Sequence, residues 1–194
     1  SCHLHGDSDY ATHNIGDTDI RPATLSARGV ANTSPYLRGG DYNRAAHLIE
    51  VTEETFGGYI FEQPGRALSL ESYIMALPPK LQTWALSPNP RSPNHAGHDA
   101  FIKARCVLCH TPPLFTNLSQ HPVGSLFPEF ENPTRTLDTP SLIGIAQSAP
   151  YLYDGRAKTL EDILNKHNAS GLHGNTSLLD DEEKRNLITF LEQL

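Results

Sequence analysis

The sequence is poor in cysteine and has no long apolar run. Three cysteines in 194 residues are too few for the disulfide framework that stabilises small secreted domains. No apolar stretch approaches the length of a transmembrane helix, so we expect no transmembrane segment in this chain. Lysine and arginine are scattered, and the formal net charge is −7, which argues against nucleic acid as a partner. The three cysteines are therefore the residues most informative about the chemistry of the chain.

Two of the three cysteines form the motif Cys106-Val-Leu-Cys109-His110. This C-x-x-C-H spacing is typical of c-type haem attachment. Thiols three residues apart can add to the two vinyl groups of a porphyrin, and the imidazole that follows reaches the iron. A structural zinc site usually needs a second paired motif, and no second C-x-x-C is present. A thioredoxin-like pair would lie in a βαβ pattern, which does not surround Cys106. The motif therefore predicts covalent haem c.

The sequence also contains an internal repeat. Residues 29–40 read GVANTSPYLRGG and residues 144–155 read GIAQSAPYLYDG, with six identities in twelve ungapped positions. Each block lies downstream of a Cys-His pair, and each precedes a predicted amphipathic helix. The helix faces are Leu70, Ile74 and Leu77 in the first copy, and Leu187, Leu191 and Leu194 in the second. The acidic stretch Asp180–Glu183 favours a helix N-terminus. We predict two modules, 1–86 and 95–194, joined by a proline-rich linker at 87–94.

The repeat changes the interpretation of Cys2 and His3. As the counterpart of Cys109-His110, this pair is interpreted as the tail of a second C-x-x-C-H motif whose first cysteine precedes residue 1. Cys2 and His3 would then anchor a second haem c, and module 1 would be N-terminally incomplete. The alternative is a chain start with one unpaired cysteine. The predicted fold class is mostly α, with two tandem cytochrome c-like haem domains and long loops.

Module 2 resembles the di-haem cytochrome c peroxidase / MauG superfamily. The matching stretches are residues 106–116 (CVLCHTPPLFT), 121–124 (HPVG), 138–142 (DTPSL), 149–156 (APYLYDGR) and 159–162 (TLED). Module 1 is similar more loosely, through residues 29–40 and 56–58. The resemblance implies a mostly α-helical fold with one haem in each of two domains. It also implies an exported, periplasmic or extracellular location, for which a leader is expected to have been removed or to lie upstream.

The resemblance implies redox chemistry. The best-known activity of the family is reduction of hydrogen peroxide, whereas other members oxidise protein side chains or mainly move electrons. Two covalent haem c groups are therefore the expected cofactors, and an additional calcium ion stays open. The expected partner is a redox protein, either a small cytochrome or a cupredoxin, or other haem subunits. The alternative function is a non-catalytic electron-transfer module of a larger exported protein.

The sixth ligand of each iron decides between an electron carrier and a reactive centre. Family members place Met or Tyr in module 2 at the offset where this chain has His167. His167 is therefore the first candidate, His173 on a glycine-flanked loop is its rival, and His121 is third. The only methionine, Met75, is expected to pack beside Ile74, which argues against Met ligation.

Module 1 has Val51 and Thr52 at the offset of His167. Its iron is then either open or bound by a histidine from elsewhere: His5, His13 or His47. The neighbouring Glu53 and Glu54 are candidate acid–base groups for peroxide cleavage, although they could simply solvate a helix end. Trp84, at the module junction, is expected to pack in the interdomain seam, with assistance to electron transfer as the alternative. Arg38-Gly39-Gly40 lacks the acidic residue of Tyr153-Asp154-Gly155, so the two haem pockets are not expected to be equivalent.

Overall fold

The structure is a computed structural model that describes residues 2–14, 21–47, 65–79, 89, 92–123, 136–168 and 171–194. Five residues singled out in the sequence lie outside this part of the chain: Val51, Thr52, Glu53, Glu54 and Trp84. The same is true of residues 56–58 and of half of the predicted linker 87–94. Predictions that concern those residues therefore stay predictions.

Regular secondary structure is limited in the described part of the chain. Three helices of 11 residues each are α1 (Arg66–Ala76), α2 (Pro93–Lys103) and α3 (Asp181–Leu191). Short 3-10 helices cover Leu4–Gly6, Cys106–Leu108, Ile145–Gln147 and Thr176–Leu178, and a π-helix covers Asp162–Lys166. Strands β1 (Gln120–His121) and β2 (Leu137–Asp138) pair antiparallel. The predicted mostly α fold is therefore confirmed only in part. The 15 prolines and 14 glycines favour loops because both residues disfavour helix interiors.

Helices α2 and α3 pack together over the main apolar core. The rings of Phe101, Phe115 and Phe190 meet with centroids 5.5 to 6.0 Å apart. Leu187 and Leu191 of α3 are buried, as its predicted amphipathic face requires, and Leu194 is buried just beyond the helix end. Helix α1 has no buried residue, and Leu77 follows its last turn. The amphipathic prediction therefore applies to α3 much better than to α1.

N-terminal capping residues fix where both core helices begin. The Asp180 side chain accepts from the Glu183 backbone N–H at 2.8 Å, and the Glu183 carboxylate accepts from the Asp180 N–H at 2.9 Å. This reciprocal capping box confirms the acidic helix start read from the sequence. Helix α2 begins at Pro93 after the N-cap Ser92. It therefore starts inside the predicted linker 87–94.

The sequence repeat is also a repeat of backbone conformation. Leu37 and Leu152 occupy the same repeat position and have φ angles of +67° and +68°. The Tyr36 N–H donates to the Tyr42 carbonyl at 2.7 Å, and the equivalent Tyr151 N–H donates to the Ala157 carbonyl at 2.8 Å. Because left-handed backbone is rare for leucine, its recurrence at the same position supports a common origin of the two segments.

The backbone repeat extends towards the two Cys-His pairs. Thr12 and Ala23 form an antiparallel bridge in the first copy, and Gln120 pairs with Asp138 in the second. Ala23 and Asp138, the second residue of each bridge, both lie 13 positions before the equivalent tyrosines Tyr36 and Tyr151. None of the described helices combines the length and the apolar character needed to cross a membrane.

Candidate haem site

The C-x-x-C-H motif folds as a single tight turn. Residues Cys106–Leu108 form a 3-10 helix, and the His110 N–H donates to the Cys106 carbonyl at 2.9 Å. Both thiols are free of disulfide bonds. Burial raises the pKa of Cys106 to about 11 and also raises that of Cys109. A reactive redox pair needs lowered thiol pKa values, so this environment disfavours the thioredoxin-like alternative.

His110 has the features of a metal-binding imidazole. Its side chain is buried, and Nδ1 lies 3.1 Å from the Phe115 carbonyl oxygen. A carbonyl can only accept, so the proton is on Nδ1 and Nε2 keeps its lone pair. Burial, together with the neighbouring His173, lowers the pKa of His110 to about 4. The ring is therefore neutral at physiological pH, which is the form that binds a metal ion.

His173 lies beside His110. The two ring centroids are 6.3 Å apart, with an angle of 48° between the ring planes. The Nδ1 atom of His173 is buried and has no hydrogen-bond partner among the described residues. Burial also lowers the pKa of His173, so this ring is neutral as well. Two neutral imidazoles thus face each other next to the cysteines of the motif.

The other two histidines proposed for module 2 have different surroundings. His167 follows the π-helix Asp162–Lys166, and its Nε2 atom is buried without a hydrogen-bond partner in the described part of the chain. His121 accepts at Nε2 from the Asn117 amide at 3.0 Å. The ring contact that the structure gives to His110, among the residues described, is with His173 rather than with either of these.

Asn168 is a site residue that sequence reasoning missed. Its side chain is only 4% exposed. The amide nitrogen donates to the carbonyls of His173 and Gly174, each at 2.9 Å, and Oδ1 accepts from the His173 N–H at 3.0 Å. Nothing in the local sequence distinguishes this asparagine from a surface residue, because its role depends on where the fold places residues 173 and 174.

A cavity of about 640 Å³ adjoins the motif. This volume falls in the range of small-molecule and cofactor sites, about 300–1,000 Å³. Its lining includes Leu108 and Cys109 of the motif, together with Leu164, Asn168 and Gly174. Two free thiols, a neutral imidazole held by a backbone carbonyl, a second imidazole and an adjoining cavity fit a covalently bound haem c.

The His3 of module 1 also contacts the backbone of its repeat, but His3 is exposed whereas His110 is buried. Partial desolvation lowers the pKa of His3, and a hydrogen bond to the Leu25 backbone opposes this shift. The pKa of His110 is influenced in the same way by the backbone of Pro140. Leu25 and Pro140 each lie two residues after the bridged residue of their copy, Ala23 or Asp138. The two histidines therefore contact equivalent backbone positions.

Cys2 also belongs to a small cluster of ligand atoms. Cys2, Asp9 and His13 each offer an atom within 4.8 Å of the others. Asp9 Oδ2 and His13 Nε2 are 2.6 Å apart. Desolvation acts to raise the pKa of Asp9, but hydrogen bonds from Ala11 and His13 lower it to about 2. This cluster therefore lies at Cys2, the predicted thioether anchor of module 1. His5 and His47, the other ligands considered for this iron, are both exposed.

Comparison with known proteins supports the resemblance at low identity. No family model matches the chain. A 61-residue segment is 39% identical to the hydrazine synthase subunit gamma of Kuenenia stuttgartiensis, covering 31% of this chain and 17% of that protein. A second alignment, over 111 residues, is 32% identical to the methylamine utilization protein MauG of Methylorubrum extorquens, covering 47% of this chain and 31% of MauG. The matched segments thus span less than a third of either relative.

Solved structures share the fold over the whole chain. A chain of the Kuenenia stuttgartiensis hydrazine synthase, in a crystal pressurised with xenon, superposes with a TM-score of 0.77 at 21% identity. The superposition covers 79% of the hydrazine synthase chain and 100% of this chain. A MauG-like protein associated with microbial copper homeostasis gives a TM-score of 0.71 at 19% identity, with 80% of that chain covered. The fold is therefore MauG-like, and the sequence relatives support a MauG-like cytochrome family.

Proposed function

We propose that this chain is a c-type cytochrome that transfers electrons through haem c bound covalently to each of its two modules. The observation that carries this proposal is the site around His110. A C-x-x-C-H turn there presents a neutral imidazole fixed by the Phe115 carbonyl, and a second imidazole lies 6.3 Å away. The similarity to MauG supports the same assignment.

In module 2, Cys106 and Cys109 would form the two thioether bonds, and His110 would bind the iron. The haem supplies reversible one-electron chemistry when it is bound. The hydrogen bond from His110 Nδ1 to Phe115 orients the ring and raises the basicity of the other nitrogen. Phe115 is fully buried in the aromatic core, so its carbonyl ties the proximal ligand to that core.

In module 1, Cys2 and His3 would hold the second haem together with a cysteine upstream of residue 1. The support is structural equivalence, because His3 and His110 meet the backbone at matching positions of the repeat. An exported location follows from the proposal, since haem c is attached on the outer side of the bacterial cytoplasmic membrane. The redox partner would be a small cytochrome, a cupredoxin or another haem subunit.

The proposed reaction is reduction of hydrogen peroxide at the module 1 iron, with module 2 as the entry point for electrons. Glu53 or Glu54 would take a proton from peroxide and return it to the leaving oxygen, a role that a carboxylate close to the iron can fill. The competing function is a purely electron-transferring module of a larger assembly. The similarity to one subunit of hydrazine synthase, of which the matched segment covers 17%, favours this competing function.

The first experiment counts haems. The full-length protein, produced with haem c maturation, should show by intact mass the addition of two haems per chain. Cys106→Ser/Cys109→Ser should remove one haem, and Cys2→Ser should affect only the other. A chain without covalent haem would overturn the proposal. A single haem that persists in Cys2→Ser would restrict the protein to a one-centre carrier.

The second experiment separates the two functions. The rate of peroxide loss is measured with the reduced holoprotein and a chemical electron donor. If Glu53 or Glu54 acts in proton transfer, its replacement by Gln should lower this rate by about 10²-fold or more without changing the haem count. Two low-spin irons and no peroxide consumption would instead establish the electron-transfer module.

A further inference from the structure

We propose that His173, positioned by Asn168, is the sixth ligand of the module 2 iron, in preference to His167. This inference rests on the proposed haem at Cys106, Cys109 and His110. The inference goes beyond the proposed function because it assigns the second ligand of the module 2 iron and the residue that positions this ligand.

The separation of the two rings suits one metal ion between them. Imidazoles that bind a metal ion from opposite sides, with metal–nitrogen distances of about 2.0 Å, have ring centres about 6 Å apart. The rings of His110 and His173 are 6.3 Å apart. Two neutral rings gain little from each other at this distance, so their placement is better explained by a ligand that both of them bind.

The unpartnered nitrogen of His173 also indicates that this ring binds a metal ion. A buried imidazole nitrogen without a hydrogen bond costs about 1–3 kcal/mol, and metal binding removes that cost. Nδ1 of His173 and Nε2 of His167 are both buried without a hydrogen-bond partner among the described residues. The discriminating observation is proximity, because His173 is the ring that contacts His110 in the described structure.

The loop that carries His173 is fixed against the haem motif. Gly174 lies so close to Cys106 that a Cβ at this position would be 3.3 Å from Sγ. Gly171 and Gly174 have φ angles of +66° and +74°, which residues with side chains rarely adopt. The Asn175 N–H donates to the Ala104 carbonyl at 2.8 Å. The position of this loop is thus tied to the helix α2 end that leads into the motif.

Asn168 holds the loop through the peptide groups on both sides of His173. One side chain accepts from the His173 N–H and donates to the His173 and Gly174 carbonyls. It also donates to Thr176 Oγ1 at 3.2 Å, and that hydroxyl donates to the Leu164 carbonyl. This buried network fixes the backbone of His173, so the ligand is preorganised and little entropy is lost when it binds.

The test is the spin state of the full-length holoprotein. In His173→Ala, the number of low-spin haems per chain, measured by electron paramagnetic resonance and near-infrared magnetic circular dichroism, should fall by one. Total haem by pyridine haemochromogen should stay unchanged, and added imidazole should restore the low-spin signal. The matched control His167→Ala should keep both haems in their original spin states. Low-spin haem that persists in His173→Ala, or is lost in His167→Ala, would overturn the assignment.

Two further variants test the roles of His173 and Asn168 independently. His173→Met should retain low-spin haem but raise the reduction potential, as Met/His ligation does; an unchanged potential would contradict the proposal. Asn168→Ala should convert part of the module 2 haem to high spin well below its unfolding temperature. A purely structural role would lower only the melting temperature. Loss of all covalent haem in the parent protein would instead disprove the proposed function itself, which separates the two failures.

Discussion

Arg38 and Tyr153 occupy the same position in the two copies of the repeat, and they contact each other. The Arg38 guanidinium lies 5.2 Å from the centroid of the Tyr153 ring. Its Nη2 donates to the Ala23 carbonyl at 2.5 Å, and the Ala23 N–H donates to the Tyr153 carbonyl at 2.8 Å. This difference between the two copies thus joins the two halves of the repeat. Burial lowers the pKa of Arg38 to about 10, which leaves it charged at neutral pH.

Removing this contact should weaken the association of the two halves. Arg38→Ala should lower the free energy of unfolding by about 1–3 kcal/mol, since it removes a partly buried cation–π contact and a charged hydrogen bond. Tyr153→Leu should cost less when Arg38 is already absent. A urea double-mutant cycle measures this coupling. Arg28→Ala serves as a control, because the Arg28 side chain donates an exposed hydrogen bond to the His5 carbonyl. Strictly additive effects of the two substitutions would contradict the contact.

A glycine inside α2 allows the two core helices to approach. A Cβ on Gly97 would overlap the carbonyl oxygen of Asn186 and crowd the Phe190 Cβ. In an isolated helix, Gly→Ala is stabilising by about 1 kcal/mol. We expect the opposite sign here: Gly97→Ala should destabilise module 2 by about 1–3 kcal/mol through overpacking, as measured by thermal unfolding. Asp99→Ala, at an exposed position of the same helix, should be close to neutral. A stabilised Gly97→Ala protein would rule out this close approach.

Local signals in the sequence predicted much of the fold, but not its long-range arrangement. The C-x-x-C-H turn and the acidic start of α3 depend on neighbouring residues, so they could be read directly. The start of α2 was misplaced because Ser92 and Pro93, good N-cap and N1 residues, stand in a proline-rich stretch that resembles a linker. Helical content was predicted too high because the resemblance implied it, whereas the loops follow from proline and glycine.

The candidate site was predicted from the sequence only on its proximal side. Cys106, Cys109 and His110 are adjacent in the chain, and their spacing carries their chemistry. The proposed distal side depends on the placement of residues 171–174, where Asn168 bonds the backbone of His173 and two glycines have positive φ. Sequence offset could only rank His167 above His173, because it carries no information on which ring the loop brings to His110.

The capping box of α3 should contribute measurably to stability. Asp180→Ala removes the side chain that accepts from the Glu183 N–H, which should cost about 1 kcal/mol. Asp180→Ser keeps a capping oxygen and should recover most of the loss. The quantity to compare is the urea midpoint of the three proteins at constant slope. An Asp180→Ser protein no more stable than Asp180→Ala would show that the charge, rather than the cap, matters at this position.

Asp138 should make stability depend on pH between about 4 and 6. It lies in β2, and its Oδ1 atom is buried with no hydrogen-bond partner among the described residues. Desolvation raises its pKa to about 6, against 3.8 for the free side chain, although a hydrogen bond from Thr139 opposes the shift. The folded protein therefore holds this proton more tightly than the unfolded chain does.

The sign of the effect follows by linkage. Between about pH 4 and pH 6 the unfolded chain has already lost the Asp138 proton while the folded protein keeps it, so the free energy of unfolding falls as pH rises and levels off above pH 6. Asp138→Asn cannot ionise, and its advantage over the parent protein should grow from pH 4 to pH 6 and then stay constant. Urea unfolding at half-unit pH steps measures the difference between the two curves. Parallel curves across this range would show that the Asp138 carboxyl titrates near its ordinary pKa.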